Sequence, residues 1–559
     1  MVRKVLALVD NVSGSRLHRI KEPLSRMKNV EVTFQESKSF KEEMLEGIDI
    51  LWVNRKCPID SVSLERALKE KNVKYVIDLD DCVNVGDRHI LKYVFDMEEP
   101  LLIRHLILAD LVIVSDGYLI PQVLPYNDVI SLIPNRIPFE EGQFKLENKV
   151  EDEKIRFGII GSISHYHDYL SLRNVMKKVL GDAEFQQKAK IVIAANPNHK
   201  YWKDVINIFT HKNVELEILD LRGVDDYMEL YNHVDVVLAP LEEEHFNKAR
   251  TNLKIYEAAC KEIPVIGSHL YLDKGVNCFV PIYKSGDWYE AIKYFIKNRN
   301  YRQFGKEVKE FLMKETPYNF IVEKREGLVD ILMDLKKEEV EDVKIHSIIY
   351  NESQKADFEV YDNSHIKTIE QRSYLFEWNA ILDISSKLTN LEGYIGVFSH
   401  KFPQKTGLSP KILNRLLLKN NYQHYDFINL SPQYWKTGKK YLQFSEEQHP
   451  GLIERLEEIC KAVGLKYWHD PKYVNFSNFY ITKIEAFNDY VNNYITPAIE
   501  YMENNKDRFM IDAQYKGGLN SEELKRISGL DFYSFHAFVL ERLILMYLEN
   551  KNLKVLNLI

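Results

Sequence analysis

From the first residue to about Leu335, short apolar runs alternate with amphipathic stretches, and the alternation comes in two successive series. Runs rich in Val, Ile and Leu, with no polar residue at every second position, are what strands buried on both faces of a parallel sheet require. The first series comprises Val5–Val9, Val30–Phe34, Asp49–Val53, Tyr75–Asp78, Leu111–Ser115 and Ile130–Ile133. A charged stretch with Pro and Gly, Pro138–Lys154, precedes the second. That series comprises Ile155–Ile160, Ile191–Ala195, Val214–Leu219, Val234–Ala239 and Pro264–Gly267. Two such series predict an α/β chain of two Rossmann-like, doubly wound lobes, residues 1–137 and 138–338, with Pro134-Asn135 near the crossing between them. Helical patterns run from about Trp288 to Leu335 and end in Lys336–Glu341, read as a solvated linker face. From Val343 the texture shifts toward Asn, Tyr and other aromatics. Residues 343–559 are expected to form a third domain, α/β or α+β.

A chain of 559 residues exceeds what one hydrophobic core can organise and should divide into roughly three to four units. The net charge of −8 supplies no basic field for a nucleic-acid or anionic-membrane partner. Cys57, Cys82, Cys260, Cys278 and Cys460 are widely scattered, with no zinc or redox spacing, which fits reduced thiols in a cytoplasmic protein. The apolar opening is short, reaches Asp10 and has no cleavage-site pattern after it, so it reads as a first strand and not as a signal peptide. No stretch has the length of a membrane span.

The segment that carries chemistry is FNKARTNLKIYEAACKEIPVIGS, Phe246–Ser268. It follows one buried-strand signal and runs into another, so a loop, a helix and a strand are expected. At 100° per residue, Arg250, Lys254 and Glu257 fall within an arc of about 60°, with Leu253, Tyr256 and Cys260 on an adjoining apolar face. Two cations at a helix N-terminus suit a diphosphate, because free N–H groups and the dipole add to their charge. A carboxylate two turns in can accept both hydroxyls of a ribose. The competing reading is a solvated face on which Lys254 and Glu257 form a minor salt bridge.

This segment resembles the donor-site helix of the retaining GT-B glycosyltransferases often called group 1. In that family a glycine-bearing loop, a cation and a Glu-containing helix followed by a Pro-Val strand bind a nucleotide sugar. Lys254 and Glu257 match the helix lysine and the later family glutamate, and Arg250-Thr251 stands where Lys-Ser is frequent. Ala249 stands where the earlier family glutamate would contact the transferred sugar, which leaves donor identity and strict retention open; Glu242, Glu243 and Glu244 are nearby acids that could substitute. FGIIGSISHYHDYLSL, Phe157–Leu172, resembles the first strand and loop of the donor lobe, with Gly158, Gly161 and Ser162 in place for close approach of phosphate or sugar and His165, His167 and Asp168 at its mouth. GVNCFV and DWYEAI, from Gly275 and Asp287, resemble the loop and helix that close this lobe, and SLIPNRI, Ser131–Ile137, the strand and turn leaving the acceptor lobe. In the acceptor lobe, Ser13-Gly14-Ser15 and Arg16 stand where family members approach the acceptor and the donor phosphates. VIDLDD places Asp78, Asp80 and Asp81 at a strand end, read as cleft acids in preference to a metal-binding D-x-D, because the family generally transfers without a metal. The resemblance thus implies a nucleotide sugar, UDP- or GDP-linked, as donor and a glycan or glycoconjugate as acceptor, with no metal in this half. Donor binding falls to Gly14, Arg16, Gly161, Ser162, Arg250, Thr251, Lys254 and Glu257, and catalytic candidacy to Asp78, Asp80 and His167.

Within the third region, Arg372–Gly407, Glu446–Glu454, Phe476–Tyr490 and Phe535–Leu548 resemble segments of domains that accompany bacterial and phage surface-polysaccharide transferases, some like reduced GT-A enzymes. A divalent metal is an option there, although His469-Asp470 reads as a core or loop pair. His400, Lys401 and Lys405 follow the strand-like YIGVFS, where a phosphate could bind or where they could be a solvated turn. Two other functions compete with glycan synthesis: sugar transfer to a modified base in phage DNA, against which the acidic charge argues, and a non-catalytic sugar- or nucleotide-binding scaffold, suggested by Ala249.

Overall fold

The computed structural model describes residues 2–9, 14, 16–147, 152–274, 278–335, 340, 342–349, 365–368, 374–388, 392–431, 440–475, 477–515 and 519–558. Ser13, Ser15, Gly275, nearly all of the Lys336–Glu341 linker and the start of the Arg372–Gly407 run lie outside the described residues. The chain forms two compact units, Met1–Lys336 and Lys337–Ile559.

The first unit holds two parallel six-stranded sheets. Strands β1 (Arg3–Val9), β2 (Val30–Glu36), β3 (Ile50–Asn54), β4 (Lys74–Leu79), β5 (Leu111–Val114) and β6 (Ile130–Leu132) form the first, in the order β2-β1-β3-β4-β5-β6. Strands β7 (Ile155–Ile159), β8 (Ala189–Ala194), β9 (Leu216–Leu219), β10 (Val236–Ala239), β11 (Val265–Ser268) and β12 (Val280–Ile282) form the second, in the order β12-β11-β10-β7-β8-β9. Every strand predicted in the two series is present, within a few residues of its expected ends. Strand β12, which the sequence left inside a loop, is a short addition at the sheet edge beside β11.

From β7 the second sheet grows through β8 and β9 to one side and through β10, β11 and β12 to the other, which is the Rossmann strand order. Its strand order reverses between β7 and β10, which pair in parallel with Val237 opposite Gly158. A crevice outside the carboxyl ends of two such strands is where doubly wound sheets place ligands. The glycine at 158 has an internal cause: a Cβ there would stand 2.5 Å from the Val234 side chain. Its expected role in admitting a ligand is therefore corrected to close packing under the sheet.

Together the two sheets give the two-lobe Rossmann-like arrangement of a GT-B fold. The helix Asn319–Asp334 returns to the first lobe, where Ile321, Val322, Val329 and Leu332 join the core made by β1, β3, β4 and β5. The second unit has a mixed sheet of β13 (Val343–Ile349), β14 (His365–Thr368), β15 (Tyr394–Ser399), β16 (Phe427–Asn429), β17 (Tyr480–Lys483) and β18 (Val555–Asn557), ordered β14-β13-β15-β17-β16-β18. Only β17 runs antiparallel to its neighbours. The helix Phe535–Lys551, buried along most of its length, forms much of this unit's core. Among the described residues no helix is long and apolar enough to cross a membrane.

Candidate functional site

The loops leaving the carboxyl ends of β7 and β10 meet beside the helix Leu253–Cys260. Arg250 and Thr251 precede that helix instead of lying on it, in the turn that links it to the short helix His245–Lys248. The single helical arc drawn through Arg250 is corrected accordingly: Arg250 reaches the site from a loop, and Lys254 and Glu257 reach it from the helix.

Glu257 is almost wholly buried, at 6% exposure. Tyr227 donates to its Oε1 at 2.8 Å and Tyr231 to its Oε2 at 2.6 Å, while Lys254 Nζ lies 3.0 Å from Oε2. His18, from the first lobe, lies 3.6 Å from Oε1 and bonds Tyr227 Oη at 2.9 Å. Burial alone would raise this carboxyl; Lys254, His18 and Tyr231 outweigh it and hold Glu257 well below the usual carboxylate range. Burial and the facing Glu257 push both tyrosines well above their ordinary value, so they stay protonated donors.

Arg250 lies over the Phe246 ring, 4.4 Å from its centroid. Its Nη2 donates to Ser164 Oγ at 3.2 Å, and its Nη1 stands 3.4 Å from Asp81 across the cleft. Ser162, exposed, makes a hydroxyl contact with Ser164. Gly161 is required by its own loop: a Cβ would meet Tyr169 Oη at 2.6 Å. Thr251 Oγ1 accepts from Asn135 Nδ2 at 2.9 Å, tying the turn ahead of the helix to the crossing between lobes.

Asp168 holds the two loops together. Its Oδ1 accepts from the backbone N–H of Glu242 at 2.8 Å and from Asn247 Nδ2 at 2.7 Å, and its Oδ2 meets His165 Nδ1 at 2.7 Å. His167, half-buried, packs edge-on to Tyr166 with ring centroids 5.1 Å apart. Glu242 is raised, chiefly by burial, with Arg88 opposing. Arg88, 69% exposed on the first lobe, reaches Glu242 at 3.7 Å and Glu244 at 3.4 Å.

Asp78 is in the interior and not on a cleft wall. It has no exposed surface, and Arg19 Nε at 2.6 Å and Arg325 Nη2 at 3.1 Å each take one of its oxygens. The expectation of a catalytic Asp78 is corrected on that ground: two buried guanidiniums use the carboxylate as their counter-ion. Asp80, by contrast, is partly exposed and accepts from Asn54 Nδ2 at 3.3 Å. Arg16 opens the helical turn Arg16–Lys21 in the field of Asp225, and Gly14 is exposed with open space around it apart from the His18 ring at 4.0 Å.

Sequence reasoning missed Tyr227, Tyr231 and His18, and placed Asn135 at the crossing without its bond to Thr251. The two tyrosines stand four apart just ahead of the buried run VDVVLAP, a spacing that puts both hydroxyls near one acceptor; that signal was available. In the second unit, Lys405 Nζ bonds Ser477 Oγ at 3.2 Å, His400 is buried at the end of β15, Lys401 is exposed, and Asp470 pairs with Lys440 at 2.6 Å. Among the described residues no three His, Cys, Asp or Glu side chains stand together as a metal-binding group, so the option of a metal in this unit gains no ligand set.

Fold and site define a class: a two-lobed, doubly wound α/β protein whose cleft gathers two cations and a buried carboxylate at the switch point of one sheet. No family model matches the chain, and no curated protein does. Among solved structures it is similar to a glycosyltransferase from Rickettsia africae ESF-5, with 12% identity, 60% of this chain and 100% of that one covered, and a TM-score of 0.41. It is similar to Anabaena HepE, solved in complex with UDP, with 13% identity, 60% and 100% covered, and a TM-score of 0.42. A UDP-forming α,α-trehalose-phosphate synthase from Burkholderia vietnamiensis shares 10% identity, with 60% and 97% covered and a TM-score of 0.42. At these scores the likeness gives no residue a role.

Proposed function

We propose that the first unit is a glycosyltransferase that moves a sugar from a UDP- or GDP-linked donor to a glycan or glycoconjugate, with retention of anomeric configuration. The observation that carries this reading is the convergence of Arg250, Lys254 and Glu257 beside the Gly161 loop, at the switch point of a Rossmann sheet and facing a second lobe. Arg250 and Lys254 stabilise the leaving nucleoside diphosphate, where negative charge develops as the glycosidic bond breaks, and the helix N-terminus adds to them. Glu257 takes the ribose hydroxyls: Oε1 accepts from Tyr227 and keeps a lone pair for one ribose donor, while Oε2, shared by Tyr231 and Lys254, becomes available once Lys254 engages the diphosphate. Attack comes from the face the leaving diphosphate vacates, with a phosphate oxygen helping to remove the acceptor's proton, so no protein nucleophile is needed. Asp80 and His167 remain candidates for the acceptor and sugar side of the cleft.

The test is a screen of nucleotide sugars for thermal stabilisation of the protein and for slow donor hydrolysis in the absence of acceptor. One nucleotide class that stabilises and is hydrolysed supports an enzyme. Stabilisation without hydrolysis by any donor supports a binding scaffold, and neither effect removes the donor-site reading.

A further inference from the structure

The imidazole of His165 sits where the two switch-point loops meet, and the structure fixes its orientation. Asp168 is 5% exposed and takes His165 Nδ1 at 2.7 Å with one oxygen, while its other oxygen is committed to the Glu242 amide and Asn247. An ionised carboxylate accepts only, so Nδ1 carries a hydrogen in either charge state of the ring, and the free valence is Nε2. The residue before it, Ser164, accepts from Arg250 Nη2 at 3.2 Å, and the ring packs at 6.0 Å against Tyr169, whose hydroxyl lies over Gly161. His165 therefore shares the pocket of the two cations already assigned to the diphosphate. Of the two histidines read at this loop's mouth, His167, the catalytic candidate, packs edge-on against Tyr166.

We propose that His165, oriented by Asp168, is a third ligand of the donor's diphosphate and takes up one proton when a nucleotide sugar binds. This inference rests on the donor-site reading above. In the free protein the ring is held below its ordinary proton affinity by burial, with Asp168 raising it and Arg250 and Lys254 lowering it. Among the described residues these are the charged groups that act most strongly on it, and Tyr169 packs against the ring. A diphosphate cancels the field of Arg250 and Lys254 and offers an anionic oxygen at Nε2. Protonation turns Nε2 from an acceptor into a charged donor, so nucleotide sugar, enzyme and one solvent proton give a complex in which imidazolium donates to phosphate. The sign follows from linkage: affinity is greatest below the free-protein pKa of His165 and falls as pH rises toward the pKa of the complex.

The experiment uses the full chain with UDP-glucose and GDP-mannose, whose doubly esterified diphosphates do not titrate near neutrality. Binding is measured by calorimetry at about pH 6, 7 and 8 in buffers of different ionisation enthalpy, which reports protons absorbed. The expected result is net uptake approaching one proton and an affinity that falls by up to about tenfold per pH unit. His165→Gln should abolish the uptake and flatten the profile, and Asp168→Asn should move the profile to lower pH. Binding by the wild type that is lost in Lys254→Ala but involves no proton uptake would overturn the role of His165 and leave the donor site standing. Uptake that persists in His165→Gln would also overturn it. Failure of both nucleotide sugars to bind the wild type would remove the donor site and this proposal with it.

Discussion

Arg19 donates through Nε to the carboxylate of Asp78 at 2.6 Å, and neither side chain has exposed surface. Arg325, equally buried and drawn from the returning helix, bonds the other oxygen at 3.1 Å. Removing the carboxylate strands two cations in the interior, and breaking a buried pair of this kind costs about 3–5 kcal/mol. Asp78→Ala is therefore expected to lose about that much stability in denaturant unfolding. A variant that is as stable as the wild type yet inactive would return Asp78 to the catalytic machinery.

Glu257→Ala is expected to weaken nucleotide-sugar binding by about 1–3 kcal/mol, through loss of hydrogen bonds to the ribose. Calorimetry with the donor identified in the screen measures this directly. Unchanged affinity would remove the ribose assignment.

The same residue gives a pH prediction. Glu257 is held below its unfolded value, so its contribution to stability is complete above the ordinary carboxyl value of about 4.3 and is lost as pH falls toward the folded pKa. Melting temperatures followed downward from about pH 5 should fall less steeply in Glu257→Gln than in the wild type. Parallel curves would mean that the folded protein does not favour the ionised form.

A chain ending at Leu335 is expected to fold and to bind nucleotide, because every residue placed at the donor site and the returning helix precede that point. Gel filtration and thermal stabilisation by the donor check it. A soluble shortened chain that cannot bind would refute the placement of the site.

Donor turnover by that shortened chain should continue in EDTA. In the proposed donor site, Arg250, Lys254 and a helix N-terminus would supply the positive potential that a divalent ion provides elsewhere. Complete loss on chelation, restored by Mn²⁺ and abolished by Asp80→Asn, would assign the chemistry to a metal held by the first lobe. Metal dependence seen only in the full chain would locate a second active site in the second unit.

What could be read in advance follows the range of the forces involved. Strands such as β5 and β10 announce themselves because four consecutive residues must each be apolar to lie inside a doubly covered sheet. Lys254 and Glu257 were legible because three residues of helix set their spacing. Asp78 was misplaced because its partners lie 59 and 247 positions away, and nothing local separates a carboxylate at a strand end that faces a cleft from one clamped beneath it. Asp168 was legible as a polar residue at the mouth of its loop, but not as the clamp of two loops, for the same reason: two of its partners, Glu242 and Asn247, arrive only when β10 docks beside β7. In the second unit the short strands β16, β17 and β18, of three or four residues, carry too little pattern to register alone.

The bridge from Arg88 to Glu242 and Glu244 is of another kind from the clamp around Asp78. One spans the mouth of the cleft with a cation 69% exposed, and the other lies in the interior. Mobile ions screen exposed charges over roughly 8 Å at physiological ionic strength and hardly reach buried ones. Added salt should therefore weaken the Arg88 bridge across the cleft mouth and leave the buried clamp, and with it the melting of the fold, nearly untouched.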